Sequence, residues 1–495
     1  MAISSPGIGS GLNITSIVSQ LVAVEQQPVQ VLQSKGSTLQ NKLSVFGTVK
    51  SDLSALQDAA SALVSATTWD SKNFSSDNTS AVTGTATSSA LSSAFSVEVT
   101  GLASGQSVKT AAAPTGTKGP AAGGTLEIQL GSWTADGVFT AKPASKAGDP
   151  PPKETITIGA DASLSDIAAS INEKTATAGV TATVVTAGGN QQLLIRSNST
   201  GAQSGFQITA SAGLEQFGYV AGTVQTPAVP PSPGVVGTPA YYPTVGGLTK
   251  TQTAADASLT IDGIVVTSAT NTVTDAIPGL TLNLLSKTTS AAQISVDVDK
   301  TAIKAKIQAF QDAYNKINTD LKTFTAYNST TKTGGPLLGD STTSGLQSML
   351  RTLVGATGPS TSTIGRLSDL GMQIQADGSL STNSTILDAA MQNPKNVKEF
   401  FSASTGTASG NGIAKRIYDF AFGATGIGGS VTTHSAGFQK AIDQNNTAMD
   451  KFNVHIADYQ KQLLARYTQL DTSMASLNSL SSFVSAQITQ WNKSG

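Results

Sequence analysis

From Ile442 to Trp491 an apolar residue stands at every seventh position: Ile442, Met449, Ile456, Leu463, Leu470, Leu477, Val484 and Trp491. Phe438, Phe452, Tyr459 and Leu480 fill part of a second seam. A seven-residue repeat held this long selects an α-helix with one apolar stripe, because such spacing keeps those side chains on a single face. Fifty residues of helix extend about 75 Å at 1.5 Å per residue, too far for a small domain to enclose. The stripe therefore needs another helix along its length.

The opposite end of the chain offers one. Val18, Leu32, Leu39, Phe46 and Leu53 share one heptad register, and Ile14, Leu21, Val49, Leu56 and Leu63 share its partner. Pro28, Lys35 and Lys42 interrupt the second register, and a break or kink is expected near Pro28 and Gly36. The two ends should pair as a hairpin whose core is Leu39, Phe46, Leu53 and Leu56 against Ile442, Met449, Ile456 and Leu463, and they can also face neighbouring subunits. The extreme ends, 1–36 and 477–495, have fewer assured partners and are expected to be disordered in an isolated monomer.

A further helix is written over 299–324, where Ile303, Ile307, Phe310, Tyr314, Ile317, Leu321 and Phe324 recur at spacings of four and three behind Asp299. Shorter ones should start after Asp340, with Leu346, Met349, Leu350 and Leu353, and at Pro394 behind Asn393, with Val397, Phe400 and Phe401.

The middle alternates instead. Phe95, Val97 and Val99; Leu126, Ile128 and Leu130; Leu259 and Ile261; Leu280, Leu282 and Leu284; and Ile294, Val296 and Val298 read as strands with one buried face. One amphipathic helix, 163–174, interrupts them with Leu164, Ile167 and Ile171. Asp262-Gly263 and Asp377-Gly378 read as hairpin turns. Gly/Pro-rich stretches at 113–124, 143–152 and 226–247 mark loops or linkers.

The fold class is thus α+β and multidomain, with terminal helices forming a coiled coil and helical bundle around nested β-rich middle domains. The expected division is 1–45 with 450–495 as coiled-coil legs, 46–85 with 297–449 as the bundle, 86–115 with 250–296 as a β-rich domain, and 116–249 as an outer mixed insert.

Composition narrows the function. The net charge is -1 and no block of Lys or Arg occurs, so neither nucleic acid nor an anionic membrane surface is a natural partner. No cysteine exists, which removes disulfides, thiolate metal sites and cysteine nucleophiles together. The N-terminus has no basic residue before Lys35, and Ser16, Ser19 and Gln20 break its apolar stretch, so neither a cleavable signal peptide nor a membrane insertion is expected.

The two histidines, His434 in a Ser/Thr/Gly stretch and His455 on the C-terminal helix, show no catalytic or metal pattern and read as exposed. Gly7, Gly9 and Gly11 lack a preceding strand and the spacing of a phosphate loop. A carboxylate-pair glycosidase stays open from sequence, but no motif supports it. No enzyme, no cofactor and no metal is expected.

Six segments carry a family resemblance: GIGSGLN at 7–13 continuing to Glu25 and Pro28; FSVEVTGLASGQS at 95–107; DGIVVTSATNTVTDAIPGLTLNLLSKTT at 262–289; GPLLGDST at 335–342; LSDLGMQIQADGSLS at 367–381; and RYTQLDTSMASLNSLSSFVSAQ at 466–487. Their order resembles the flagellar hook-associated protein 2 family of filament caps, and 164–208 looks like the small insert of flagellin-type proteins. The Pro-rich 226–247 departs from it.

The resemblance implies a homo-oligomeric cap at the extracellular filament tip, exported by the flagellar type III route, with flagellin folding beneath it. It also implies contact with the hook-filament junction protein before growth and with an export chaperone. Ile14, Val18, Leu21, Leu477, Val484, Ile488 and Trp491 would then face the filament or neighbouring legs. The alternative is a tip adhesin binding host glycans or mucin through the β-rich domains, which is compatible with capping.

Overall fold

The computed structural model describes residues 13–119, 121–144, 150–220, 247–407 and 409–492. The glycines at 7–11 and the Pro-rich residues 226–246 lie outside the described residues. Helices α1 (Ile14–Glu25), α2 (Gln27–Val64) and α3 (Ala66–Trp69) come first. Then follow β1 (Lys72–Ser76), β2 (Val82–Ala86), β3 (Ser93–Gly101), β4 (Ser107–Lys109), β5 (Ala113–Pro114), β6 (Gly124–Trp133), β7 (Phe139–Ala141) and β8 (Lys153–Ile158). Next are α4 (Leu164–Glu173), α5 (Thr175–Ala178), β9 (Val180–Ala187), β10 (Asn190–Ser197), β11 (Gly205–Ala210) and β12 (Thr249–Gln252).

The chain returns through β13 (Ala257–Ile261), β14 (Ile264–Ser268), β15 (Thr272–Val273), β16 (Leu280–Leu284) and β17 (Ala292–Val298). It continues with α6 (Lys300–Thr325), β18 (Tyr327–Asn328), β19 (Thr333–Gly334), α7 (Ser341–Gly355), β20 (Met372–Ile374) and β21 (Leu380–Thr382). Helices α8 (Ser384–Ala390), α9 (Pro394–Ser402), α10 (Ile413–Thr425) and α11 (Ser430–Trp491) close it. The chain divides into two compact units, 1–69 with 300–495, and 70–299.

The first unit is a helical bundle in which α2 packs on α6, α10 and α11. Phe46, Leu53 and Leu56 of α2 and Ile303, Ile307, Phe310 and Ile317 of α6 are fully buried. The N-terminal break falls at Gln26, since Pro28 in the first turn of α2 has no N–H to give the preceding turn. Gly36 does not break the helix but lies inside α2.

Asp340 caps α7 by accepting from Thr343 N at 2.8 Å, and Asn393 caps α9 by accepting from Asn396 N at 3.4 Å. Helix α6 and the 367–381 motif meet here. Asn315 exchanges both amide bonds with the backbone of Leu380, at 2.6 and 2.8 Å, and Tyr314 donates to Gly378 O at 3.0 Å. Burial pushes the Tyr314 phenol up to about 12.

Among its described residues the second unit holds two hydrophobic cores. One is built on the five-stranded sheet β1-β17-β3-β13-β14 and the three-stranded sheet β15-β16-β2, with Val97, Val99, Leu259, Leu282 and Ile294 inside. The other joins β12-β4-β10-β5, with β9 beside β10, to β11-β6-β7, with β8 beside β6, and α4 covers it through Leu164, Ile167 and Ile171. Ser163 and Asp166 form the capping box that starts α4.

Two boundaries differ from expectation. Residues 70–85, assigned to the bundle by composition, form β1 and most of β2, which pair with β17 and β16. Phe74 is the only large apolar residue of β1, so alternation there is too weak to read. Val108 and Ala113 join the core of the insert, not that of the β-rich domain.

Candidate assembly interface

The two chain ends meet as antiparallel helices. Ile14, Val18, Val22 and Val29 pack with Ile456 and Leu463 in one buried cluster, bordered by Leu21, Met449, Tyr459, Leu464 and Tyr467. Asn13 starts α1 by accepting from Ser16 N at 2.9 Å. Each large aliphatic side chain buried in this way contributes about 1.5–3 kcal/mol relative to exposure.

Ile14 and Val18, expected to face outward, therefore have a partner within the chain, and Leu21 is half-buried beside them. Disorder in an isolated monomer is the expectation over 1–36 and 477–495, but residues 14–25, 27–36 and 477–491 are helical; 1–12 and 493–495 lie outside the described residues. The reason is length: 38 residues of α2 and 62 of α11 give the ends a continuous scaffold to extend.

The heptad stripe of α11 changes environment along one face. Ile442, Ile456 and Leu463 are buried and Met449 is half-buried. Leu470 is then 45% exposed, Leu477 58%, Val484 46% and Trp491 82%. Leu480, Phe483 and Ile488 are also exposed. Of the expected pairing core, Phe46, Leu53 and Leu56 are fully buried and Leu39 is half-buried.

Polar contacts fix the inner part of this arrangement. Asn445, 4% exposed, donates its side-chain amide to Leu32 O at 2.9 Å, beside Gly36 of α2. His434 is not a loop residue: it lies in the second turn of α11, between the rings of Phe46 and Phe438 at 4.8 and 4.7 Å. Its Nε2 pairs with Asp340 Oδ2 at 2.6 Å. Burial alone would raise Asp340, but the backbone and hydroxyl of Thr343 and the His434 ring hold its carboxyl below the usual range.

A second charged contact, missed in the sequence, joins α2 to α6. Lys316 Nζ lies 3.4 Å from Asp52 Oδ1 and also pairs with Asp320. Its three members come from positions 52, 316 and 320, and only the last two share a helical spacing that a sequence displays. His455 is exposed and stacks near Tyr459. Among the described residues no group of His, Cys, Asp and Glu is arranged to hold a metal ion, and no helix is long and apolar enough to cross a membrane.

Comparison with known proteins follows the same outline. Residues 10–106 and 254–479 match the models described as flagellar hook-associated protein 2 N-terminus and C-terminus. Residues 152–199 match the flagellin hook IN motif, overlapping the insert motif read at 164–208. The chain is 30% identical over 487 residues to the A-type flagellar hook-associated protein 2 of Pseudomonas aeruginosa, covering 96% of this chain and 95% of that one.

It is 28% identical over 505 residues to the flagellar hook-associated protein 2 of Escherichia coli strain K12, covering 98% of each. Among solved structures, the D1-D2-D3 domains of the flagellar cap protein FliD from Escherichia coli match with a TM-score of 0.56 at 26% identity. That match covers 80% of this chain and 99% of the other.

Proposed function

Because the chain belongs to the flagellar hook-associated protein 2 family, we propose that it works as a homo-oligomeric cap at the distal end of the flagellar filament. It retains exported flagellin there and promotes its folding and insertion, reaching the cell exterior by the flagellar type III route. The observation that carries the leg assignment is the α11 stripe, which is buried or half-buried from Ile442 to Leu463 and exposed from Leu470 onward.

An apolar heptad face left open on a long helix suits contact with other helices, because knobs-into-holes packing recurs at each heptad. Leu477, Val484 and Ile488 are the contacts we assign to the filament or to neighbouring legs, with Trp491 at the far end of the same face. By family membership we also assign contacts with the hook-filament junction before growth and with an export chaperone.

Complementation tests the reading. The full chain, and a version ending before Leu470, are expressed in a motile bacterium of the same species that lacks its own cap. The shortened version keeps the contact of Ile14, Val18 and Val29 with Ile456 and Leu463. Filaments restored by the full chain alone are expected. Flagellin leaking into the medium with both would sink the cap reading, and filaments with both would sink the leg assignment.

A further inference from the structure

The β-rich unit has several strands at sheet edges, and an edge strand exposes backbone donors and acceptors that another strand can pair. Most of these edges are protected by their own residues. β9 is closed by Asn172, whose side chain donates to Ala182 O and accepts from Ala182 N, both at 2.8 Å. β11 is closed by Tyr219, which exchanges both backbone bonds with Ile208 at 2.7 and 2.8 Å. β12 carries Lys250 and an irregular register between Lys250 and Gln252. β1 and β8 begin with Lys72 and Lys153, while β5, β7 and β15 have only two or three residues each.

β14 has none of these devices. Its sequence, Ile-Val-Val-Thr-Ser, carries no charge and no proline, and it ends the five-stranded sheet. Its pairing with β13 is unbroken from Ala257↔Ser268 to Ile261↔Ile264. Ile264 and Val265 are each 70% exposed. Asp262 and Gly263, with φ of 47° and 81°, form the two-residue hairpin turn expected of them, so Ile261 and Ile264 exchange hydrogen bonds across it.

The alternation that follows places the N–H and C=O of Val265 and Thr267 on the open side, where among the described residues they take no partner. The turn itself is held, because Asp262 Oδ1 accepts from Ser96 N at 2.8 Å and from Ser96 Oγ at 3.0 Å. A fixed edge binds at lower ordering cost. Beside it, Val266, Thr267, Thr270 and Thr272 help to line an open cleft of about 340 Å³.

We infer that β14 is a docking edge for an extended, still unfolded polypeptide segment, which adds to the sheet as a further strand. Area and edge chemistry choose that occupant over a second folded copy. A five-residue strand is about 17 Å long. Such a strip falls well short of the roughly 800 Å² per partner that a stable complex buries. Apart from β14 itself, the edges that a folded copy would meet among the described residues of the β-rich unit are the protected ones and β2, which is mostly buried or half-buried, with Gly84 close against the Phe74 ring. An unfolded chain offers unpaired backbone along its whole length, and backbone pairing tolerates many sequences. The inference rests on the reading that the chain caps a filament whose subunits arrive unfolded.

The test uses the full chain, titrated with a short labelled peptide of alternating Thr and Val and with flagellin freshly diluted from urea. Val265→Pro deletes one outward N–H without touching a bond to β13, a placement that proline tolerates on an edge. Val265→Lys adds a gatekeeping charge instead. Both should weaken binding roughly tenfold or more, as for loss of a hydrogen bond and its neighbours. The Ile264 and Val266 amides should stay protected from exchange, showing an intact hairpin.

Equal binding by variants with an intact hairpin would overturn the inference. So would self-association of the wild type that Val265→Pro abolishes, which would give the edge to a second copy. If the wild type restores filaments and the variants restore and bind equally well, this inference fails while the cap reading stands. Failure of the wild type to restore filaments strikes the cap reading instead.

Discussion

Asn445 of α11 donates its side-chain amide to the backbone carbonyl of Leu32 on α2, and a Cβ added at Gly36 would stand 3.1 Å from that same nitrogen. A buried asparagine in a helix seam favours one register at some cost in stability. The cost is visible, since Asn445 Oδ1 has no partner. Asn445→Leu is expected to raise stability by about 1 kcal/mol, measured by urea unfolding. It should also let the helices slip. The chain has no cysteine of its own, so a cysteine pair placed across α2 and α11 would report shifted crosslinks only in the variant. A loss of stability would show that the bond to Leu32 outweighs the unpaired oxygen.

Asp340 joins the N-terminus of α7 to α11 by accepting from Thr343 and pairing with His434. Asp340→Ala should cost about 2 kcal/mol, combining a lost cap with an unpaired neighbour. Asp340→Asn keeps the capping oxygen and should cost about half of that. The carboxyl sits below its unfolded value of 3.8, so its contribution is complete above that value and is lost as pH falls through the lower folded one. An equal loss for alanine and asparagine would assign the effect to the contact of the Asp340 carboxylate with His434, not to the cap.

Substitution on the open part of the stripe should separate folding from assembly. Leu477→Asp with Val484→Asp alters two exposed positions, so the unfolding free energy measured in urea should hold within about 0.5 kcal/mol. Restoration of filaments in a capless strain should be lost. Normal filaments from the double variant would remove this face from the proposed interface.

Periodicity made the faces of α6 and α11 legible, because a residue's place in a repeat decides which side it joins. It did not show how far the partner of α11 runs, so Leu463 and Leu470 look alike in sequence and differ in the fold. The sequence signals for β13–β14 and for α4, α7 and α9 held because turns and caps are decided locally by Asp262-Gly263, Ser163, Asp340 and Asn393. Helix α10 went unread: Ile413 and Ile417 are its buried large residues, and Ala414, Ala421 and Ala424 supply the rest of its packed face. His434 looked like a loop residue among poor helix formers, and the packing of Phe46 against it overrides that preference.

The contact between Asp52, Asp320 and Lys316 predicts a dependence on mild acidity. Burial, with the hydrogen bond to Asp320, pushes Asp52 up to about 6 from its unfolded 3.8, and Lys316 offsets only part of this. Burial also works to raise Asp320, yet hydrogen bonds with Lys316 and Asp52 hold it below the usual range. The folded state thus holds the Asp52 proton more tightly than the unfolded chain does. The stability this gives is complete below 3.8 and lost as pH rises through about 6. Unfolding free energy should therefore climb by on the order of 1 kcal/mol from about pH 7.5 to about pH 5, with solvent screening limiting the gain. Asp52→Asn, which resembles the protonated form, should be at least as stable as the wild type at neutral pH and should lack the climb. A flat wild-type profile would mean that Asp52 ionises normally, and a weaker variant at neutral pH would mean that its attraction to Lys316 outweighs its burial.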